Sequence, residues 1–190
     1  MSSNQRKTTV LTECSVMLAL SVVLSFVRIW KMPMGGEVTL LSMLPVSFIS
    51  VKYGLKQGVS TAFLFSLFHL ARGIADGDVF VYCATGFAVV ICVLFDYITP
   101  FSVLGVSGVF RKKGVPGVCA GIVLSLTARF LCHFITGVVI WSQWAPEGQS
   151  KYVYSLIYNG QYMLAECIIT VAGAILLTRI PRIRKLIDLK

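Results

Sequence analysis

The 190-residue chain has little charge and few acidic groups. Asp, Glu, Lys and Arg make up 13% of it, with eight acidic and 17 basic residues, whereas about a quarter of an average soluble domain is charged. Hydrophobic residues make up 56%, and the mean hydropathy is +0.82. Crossing a hydrocarbon core ~30 Å thick takes roughly 20 mainly apolar helical residues. The composition therefore excludes an ordinary soluble domain and indicates an integral membrane protein.

The sequence also lacks the motifs of common enzymes and metal sites. HExxH, GxSxG, CxxC and the Walker A phosphate loop are all absent, and each of these would place a metal ligand, a nucleophile or a phosphate cradle. The six cysteines are scattered, mostly within apolar runs, as is typical of small buried hydrophobic residues. We therefore expect no enzyme, no resident metal and no cofactor.

Six apolar segments predict an all-α fold of six transmembrane helices in a single domain, residues 1–190. They cover approximately residues 8–27, 38–51, 57–71, 79–110, 115–140 and 152–178. The second is short and contains a proline. The fourth contains Asp96 and Pro100, near which we expect a bend, because proline interrupts a helix. We expect no cleaved signal peptide, since the first apolar run lacks a small-residue cleavage site.

Lys and Arg are unevenly distributed between the two ends of the predicted helices. One end carries twelve of them: Arg6, Lys7, Lys52, Lys56, Arg111, Lys112, Lys113, Arg179, Arg182, Arg184, Lys185 and Lys190. The other carries four: Arg28, Lys31, Arg72 and Lys151. The positive-inside rule therefore predicts that both termini are cytoplasmic. Because the basic residues flank apolar runs, the net charge of +9 indicates membrane topology, and no nucleic-acid partner is expected.

Several charged or strongly polar residues fall inside the predicted helices, where an ionised side chain is disfavoured by about 3 kcal/mol. They are Glu13, His69, Asp96, Arg129, His133, Asn159 and Glu166. Such residues mark binding sites or pair with one another. A salt bridge between Asp96 and Arg129 is one alternative that the sequence leaves open.

The polar residues of the last two helices fall into two rows. Arg129 and His133 are four residues apart and share a helix face, and Trp141 follows two turns later. The second row, at i, i+3 and i+7, comprises Asn159, Tyr162 and Glu166. Aromatic faces beside a carboxylate favour a flat, cationic, nitrogen-rich ligand, since each ring attracts a cation by about 0.5–2 kcal/mol. The aromatic residues are also compatible with an interfacial belt.

Residues 133–160, HFITGVVIWSQWAPEGQSKYVYSLIYNG, resemble the signature of the thiamine-specific substrate-binding (S) components of energy-coupling factor (ECF) transporters, the ThiT family. The shared pattern is a basic residue, His, Trp-Ser-Gln, Tyr-Ser-Leu and Asn-Gly, which here begin at Arg129, His133, Trp141, Tyr154 and Asn159. The resemblance covers nearly the whole chain, and an acidic-Tyr pair in helix four is matched by Asp96 and Tyr97. It implies high-affinity thiamine binding near the extracellular side, between helices four to six and the first outer loop.

The resemblance implies seven ligand-binding residues: Asp96, Tyr97, Arg129, His133, Trp141, Tyr154 and Asn159. Trp141 and His133 would stack on the rings of thiamine. Hydrogen bonds to the aminopyrimidine would come from Asp96, Tyr154 and Asn159.

Two of these positions raise further points. Arg129 would hold Asp96 or a tyrosine in place. The family often carries Glu where this chain has Asp96, and aspartate is one methylene shorter.

The first outer loop departs from the family pattern. Family members can carry an acidic residue and a tryptophan there, near the thiazolium, but Leu40 and Gly36 hold the aligned positions in this chain. Glu37 and Trp30 lie nearby and are further candidates for ligand or lid contacts, as is Tyr82 before helix four. The glycine pair in this loop would allow it to act as a lid.

The resemblance also implies partners. They are a membrane-embedded coupling protein and two cytoplasmic ATPase subunits, in the plasma membrane of a Gram-positive bacterium. Docking would use Ser15 and Ala19 of the first helix, because small residues four apart let helices approach closely. Three alternatives stay open: an S component for a thiamine precursor or another vitamin, a stand-alone secondary transporter, and a membrane enzyme with a metal held by His69, His133 and Asp96.

Overall fold

The computed structural model describes residues 2–33, 35–77 and 83–189. Tyr82 therefore lies outside the described residues. Within them, five helical segments are long and apolar enough to cross a membrane: Ser3–Ser25, Leu55–Asp76, Gly86–Val106, Arg111–Val139 and Lys151–Thr178.

The segment predicted as the second transmembrane helix is instead part of a hairpin followed by a short helix. Strand β1 (Arg28–Lys31) pairs antiparallel with β2 (Glu37–Thr39). Helix α2 (Leu44–Tyr53) has 10 residues, or ~15 Å at 1.5 Å per residue, which is half of a hydrocarbon core. Pro45 lies in its first turn, where the missing N–H has no helical partner to lose. The predicted helical membrane fold is therefore confirmed in its main feature, but the chain adds a two-stranded hairpin. The described residues contain five helices long and apolar enough to cross a membrane, rather than the six predicted.

Helices α1 (Ser3–Ser25) and α3 (Leu55–Asp76) are longer than predicted because local signals extend them. Ser2 and Gln5 form a capping box at the start of α1, which satisfies backbone donors of the first turn. Gly77 ends α3 with a φ of 68°, the left-handed conformation that glycine adopts most readily at helix ends.

The α-helix of the fourth apolar segment is interrupted where Asp96 and Pro100 lie, the place at which the sequence predicts a bend. It consists of α4 (Gly86–Cys92), a π-helical turn (Val93–Ile98), α5 (Thr99–Ser102) and a 3-10 turn (Val103–Val106). Pro100 has no N–H to donate to the carbonyl of Asp96, four residues earlier. The widened turn carries Asp96 and Tyr97, and such turns are frequent at functional sites.

Helices α6 (Gly114–Val139) and α7 (Lys151–Thr178) pack directly against each other. Where α6 meets the 3-10 turn, Gly121 leaves no room for a side chain, because a Cβ there would lie 1.9 Å from the carbonyl oxygen of Ser107. The Ser107 hydroxyl bonds to Ser47 and Ser125 at 3.1 and 2.9 Å. Small residues and interhelical hydrogen bonds are what hold helices together in lipid. A last short helix, α8 (Pro181–Leu186), follows α7.

Candidate functional site

A cavity lies between α3, the π-helical turn, α6, α7 and the hairpin. Its lining includes all seven residues that the sequence singles out as ligand-binding: Asp96, Tyr97, Arg129, His133, Trp141, Tyr154 and Asn159. Glu37 lines the same cavity. Residues that are distant in the chain, such as Glu37 and Asn159, thus converge on one space.

Asp96, His133 and Arg129 form a chain of hydrogen bonds across the cavity wall. Arg129 Nε donates to His133 Nε2 at 3.3 Å, so the proton of a neutral imidazole is on Nδ1. His133 Nδ1 lies 3.0 Å from Asp96 Oδ1 and donates to it. Arg129 therefore reaches Asp96 through His133 rather than through a direct salt bridge, and it holds the histidine tautomer that donates to the carboxylate.

Both oxygens of Asp96 accept hydrogen bonds from α6 and the 3-10 turn that follows it (Trp141–Trp144). Oδ1 accepts from the Thr136 hydroxyl as well as from His133. Oδ2 accepts from Trp141 Nε1 at 3.1 Å. Because its edge is fixed by this bond, the Trp141 indole would use its ring face for any stacking contact. The carboxylate is thus held in place by three donors.

Asn159 is fixed by its own helix and by α6. Its amide nitrogen donates to the His133 carbonyl at 3.1 Å and to Ser155. Its Oδ1 accepts from the Tyr162 hydroxyl at 3.0 Å, which uses one of two lone pairs. Gly137 permits this arrangement, since a Cβ there would lie 2.1 Å from Ser155 Oγ and 2.8 Å from Asn159 Nδ2. The remaining lone pair of Oδ1 can accept from a ligand donor.

Tyr97 is buried against α3. A Cβ on Gly73 would lie 2.2 Å from the Tyr97 hydroxyl oxygen, so the ring crosses the helix where a side chain is missing. Gly73 and Tyr97 both line the cavity. Tyr154 lines it from α7, with its ring centroid 5.8 Å from that of Tyr158.

The hairpin covers α7 at the same end of the bundle. The Tyr158 hydroxyl donates to the Gly35 carbonyl at 3.0 Å, and a Cβ on Gly36 would lie 2.7 Å from the Tyr162 ring. Deeper in, the fully buried Glu166 accepts from the Thr39 amide at 2.7 Å and its hydroxyl at 3.0 Å. Glu166, which the sequence marks as a costly buried acid, therefore anchors β2 to α7.

Glu37 belongs to an ion cluster that ties the hairpin to α3. Its Oε2 lies 2.9 Å from Arg28 Nε and 2.9 Å from an Arg72 guanidinium nitrogen. Both arginines also contact Asp76, at 3.4 and 3.6 Å. Burial raises the pKa of the Glu37 carboxyl above its ordinary value of 4.5, although the charge of Arg28 opposes this rise. From the sequence these arginines serve only as indicators of topology, yet both line the cavity.

Two further candidates from the sequence lie elsewhere. Trp30 is on β1, 45% exposed, and is not among the residues that line the cavity. Ser15 and Ala19 are exposed on α1, between the exposed side chains of Leu11 and Val23. This face of α1 is thus not covered by the described part of the chain.

Several residues that line the cavity are absent from the predicted ligand-binding set, although the sequence already places Tyr162 in a polar row with Asn159. Tyr158 and Tyr162 close it from α7, and Phe101 lies under Arg129, whose guanidinium carbon is 4.2 Å from the ring centroid. Tyr154, Tyr158 and Tyr162 follow one another at intervals of one helical turn. This spacing is the signal that could have added Tyr158 and Tyr162 to the predicted set. Phe101 has no such signal, because it is one of many apolar residues in its segment.

The described residues contain no group of three or more His, Cys, Asp and Glu side chains placed to hold a metal ion. His69 lines the cavity with His133 and Asp96, but its ring stacks on Phe101 at 3.9 Å between centroids. The metal-enzyme alternative therefore receives no support from this geometry.

Known proteins match most of this chain. A family sequence model described as "Thiamine transporter protein" matches residues 11–185. The chain belongs to the thiamine transporter family. Thiamine transporter ThiT of Bacillus subtilis is 32% identical, with 96% of this chain and 97% of that protein covered. ThiT of Lacticaseibacillus paracasei is 30% identical, with 74% and 73% covered.

The fold agrees with this assignment. A solved structure of ThiT from Listeria monocytogenes has a TM-score of 0.74 and 23% identity, covering 94% of this chain and 98% of that one. As a thiamine transporter family member with five long apolar helices, the chain is a multi-pass membrane transport protein rather than an enzyme.

Proposed function

We propose that this chain binds thiamine in the cavity described above and acts as the S component of an ECF transporter. One observation carries the location: the seven residues that match the family's signature line a single cavity, although the fold places them on the π-helical turn, α6, α7 and the turn between the last two.

The aminopyrimidine fits the polar wall of the cavity. Its exocyclic amino group is a donor, and Asn159 Oδ1 and Asp96 are acceptors whose positions are fixed by protein donors. The ring faces of Trp141 and His133 provide stacking surfaces. A pre-organised wall reduces the ordering that a ligand would otherwise impose, and this favours high affinity.

The cationic thiazolium fits the hairpin end, where Glu37 and Asp76 line the cavity. Arg28 and Arg72 already balance these acids. The electrostatic stabilisation of the thiazolium is therefore smaller than two unpaired carboxylates would give. Aromatic faces would supply the remaining attraction for the cation.

The S-component role is supported by the family resemblance and by the absence of a phosphate-binding loop from this sequence. ATP-driven uptake would therefore need partner ATPases, and the resemblance implies a membrane-embedded coupling protein and two cytoplasmic ATPases. The exposed face of α1 with Ser15 and Ala19 would dock on the coupling protein. By the positive-inside rule, the excess of Lys and Arg at the end away from the hairpin supports an orientation with both termini in the cytoplasm and the cavity facing outward. The proposed location is the plasma membrane of a Gram-positive bacterium.

Reconstitution in vesicles tests this role. The chain alone should bind thiamine without accumulating it, and accumulation should require coupling protein, ATPases and ATP. Accumulation driven by a proton gradient through the chain alone would show a stand-alone secondary transporter instead.

A pyrimidine precursor without the thiazolium is the second candidate ligand. It is favoured by the pairing of Glu37 with two arginines, which leaves little net negative charge for a cation. Parallel titrations with thiamine and hydroxymethylpyrimidine decide between them: thiamine should bind far more tightly, whereas equal affinities would indicate the precursor.

A further inference from the structure

His69 is buried in the cavity wall with an unsatisfied ring nitrogen. Its exposed fraction is 8%, and its Nε2 has no hydrogen-bond partner among the described residues. The ring is held on two sides, stacked on Phe101 at 3.9 Å with 13° between planes and edge-on to Phe65 at 4.5 Å. A buried polar atom without a partner costs free energy, so phenylalanine would suit these contacts better than histidine if packing were its only role.

The position of His69 on α3 shows which part of the cavity it faces. His69, Arg72, Gly73 and Asp76 all line the cavity and are spaced i, i+3, i+4 and i+7, which is one helix face. Asp76 contacts Arg28 of the hairpin. His69 lies seven residues before Asp76, or ~10 Å deeper along the helix. His69 stacks on Phe101, and the Arg129 guanidinium also lies over the Phe101 ring. His69 therefore lies at the floor of the cavity rather than at its mouth.

We propose that His69 is a ligand-binding residue whose Nε2 hydrogen-bonds the pyrimidine half of the ligand from α3, opposite Asp96 and Asn159. A neutral imidazole has one donor and one acceptor nitrogen, which matches the amino group and ring nitrogens of an aminopyrimidine. The ligand would then receive hydrogen bonds from two sides of the cavity. His69 would select rings that have a polar atom on the edge facing α3. This inference rests on the proposed thiamine function.

Three substitutions separate hydrogen bonding from packing. His69→Phe keeps the stacked ring and removes the nitrogens. His69→Gln places an amide near the position of Nε2, whereas His69→Asn places one near Nδ1 and serves as the matched control. Each variant is titrated calorimetrically with thiamine and with hydroxymethylpyrimidine, and its melting temperature is measured without ligand.

We expect His69→Phe to weaken both ligands about tenfold, the size of one lost hydrogen bond, without lowering the melting temperature. His69→Gln should recover more affinity than His69→Asn. Wild-type affinity in His69→Phe would overturn the inference while leaving the proposed function intact. A loss for thiamine alone would overturn the assignment to the pyrimidine half. If His69→Phe does not fold, equal affinities of the Gln and Asn variants would overturn the role of Nε2. Failure of the wild-type chain to bind either ligand would instead overturn the proposed function.

Discussion

Asp96→Asn is the substitution whose effect the structure specifies most closely. The carboxylate accepts from His133 and Thr136 on Oδ1 and from Trp141 on Oδ2. An asparagine has only one acceptor oxygen. If that oxygen serves His133 and Thr136, the new amide nitrogen faces the Trp141 N–H, and two donors then point at each other.

The magnitude follows from the bonds affected. A hydrogen bond to a charged group contributes about 1.5–3 kcal/mol, and each 1.4 kcal/mol is about tenfold in affinity. Asp96→Asn loses the hydrogen bond from Trp141. It also loses the negative charge that strengthens the hydrogen bonds from His133 and Thr136 and any contact with the ligand. Thiamine binding should therefore weaken by roughly 10- to 100-fold or more.

Isothermal titration calorimetry is the appropriate assay, because Trp141 contacts Asp96 and its fluorescence would change with the substitution itself. Asp96→Glu is the control, since it keeps the charge and matches the residue that the resemblance finds at this position in many family members. Melting temperatures verify that all variants are folded. Binding by folded Asp96→Asn within about threefold of wild type would refute the reasoning that three donors pre-organise this carboxylate for the ligand.

Three further predictions concern other parts of the chain. Gly73→Ala should weaken thiamine binding, because its Cβ would lie 2.2 Å from the Tyr97 hydroxyl and overpacking costs about 1–3 kcal/mol. Gly160→Ala is the control and should bind thiamine normally, since its Cβ meets nothing within 4 Å. Equal affinities of the two variants in calorimetry would count against close packing of Tyr97 on Gly73. Ala19→Trp, on the exposed face of α1, should leave binding unchanged and abolish ATP-dependent uptake in reconstituted vesicles, whereas normal uptake would exclude this face as the docking surface. Affinity for cationic thiamine should fall as pH drops through the raised pKa of Glu37, since protonation removes the negative charge of this side chain. Thiamine titrations over this pH range should show a weaker pH dependence of affinity in Glu37→Gln than in the wild type. Identical pH profiles for the two would contradict a contact between Glu37 and the thiazolium.

Helical periodicity predicts local neighbours well. Arg129 and His133 share a face because they are four residues apart, and the structure joins them at 3.3 Å. The interruption near Asp96 is also predictable, because Pro100 cannot donate a backbone hydrogen bond. The convergence of Asp96 with α6 and α7 depends on tertiary packing, and it was expected from the family resemblance rather than from spacing.

The hairpin is the part of the fold that local sequence patterns predict wrongly. Residues 38–51 form an apolar run that suits a membrane helix, yet the chain places Val38 in a strand and begins α2 only at Leu44. One tertiary and one local feature favour the strand. Glu166 accepts hydrogen bonds from the amide and the hydroxyl of Thr39, and two adjacent glycines with φ of 86° lie in the turn. Glu166 lies 127 residues from its partner, so no local pattern reveals it. The position of Pro45 was the available signal, since proline favours a first helical turn.

A titration of thiamine against the purified chain in detergent, followed by tryptophan fluorescence, tests the central claim most directly. If the ligand stacks on Trp141, thiamine should quench the signal saturably at nanomolar to low-micromolar concentration, and Trp141→Phe should remove most of the quench while calorimetry still detects binding. Trp30 and Trp144 remain in that variant as an internal reference. Saturable quenching that persists in Trp141→Phe would place the ligand elsewhere. No binding by either method would contradict the assignment of this cavity to thiamine.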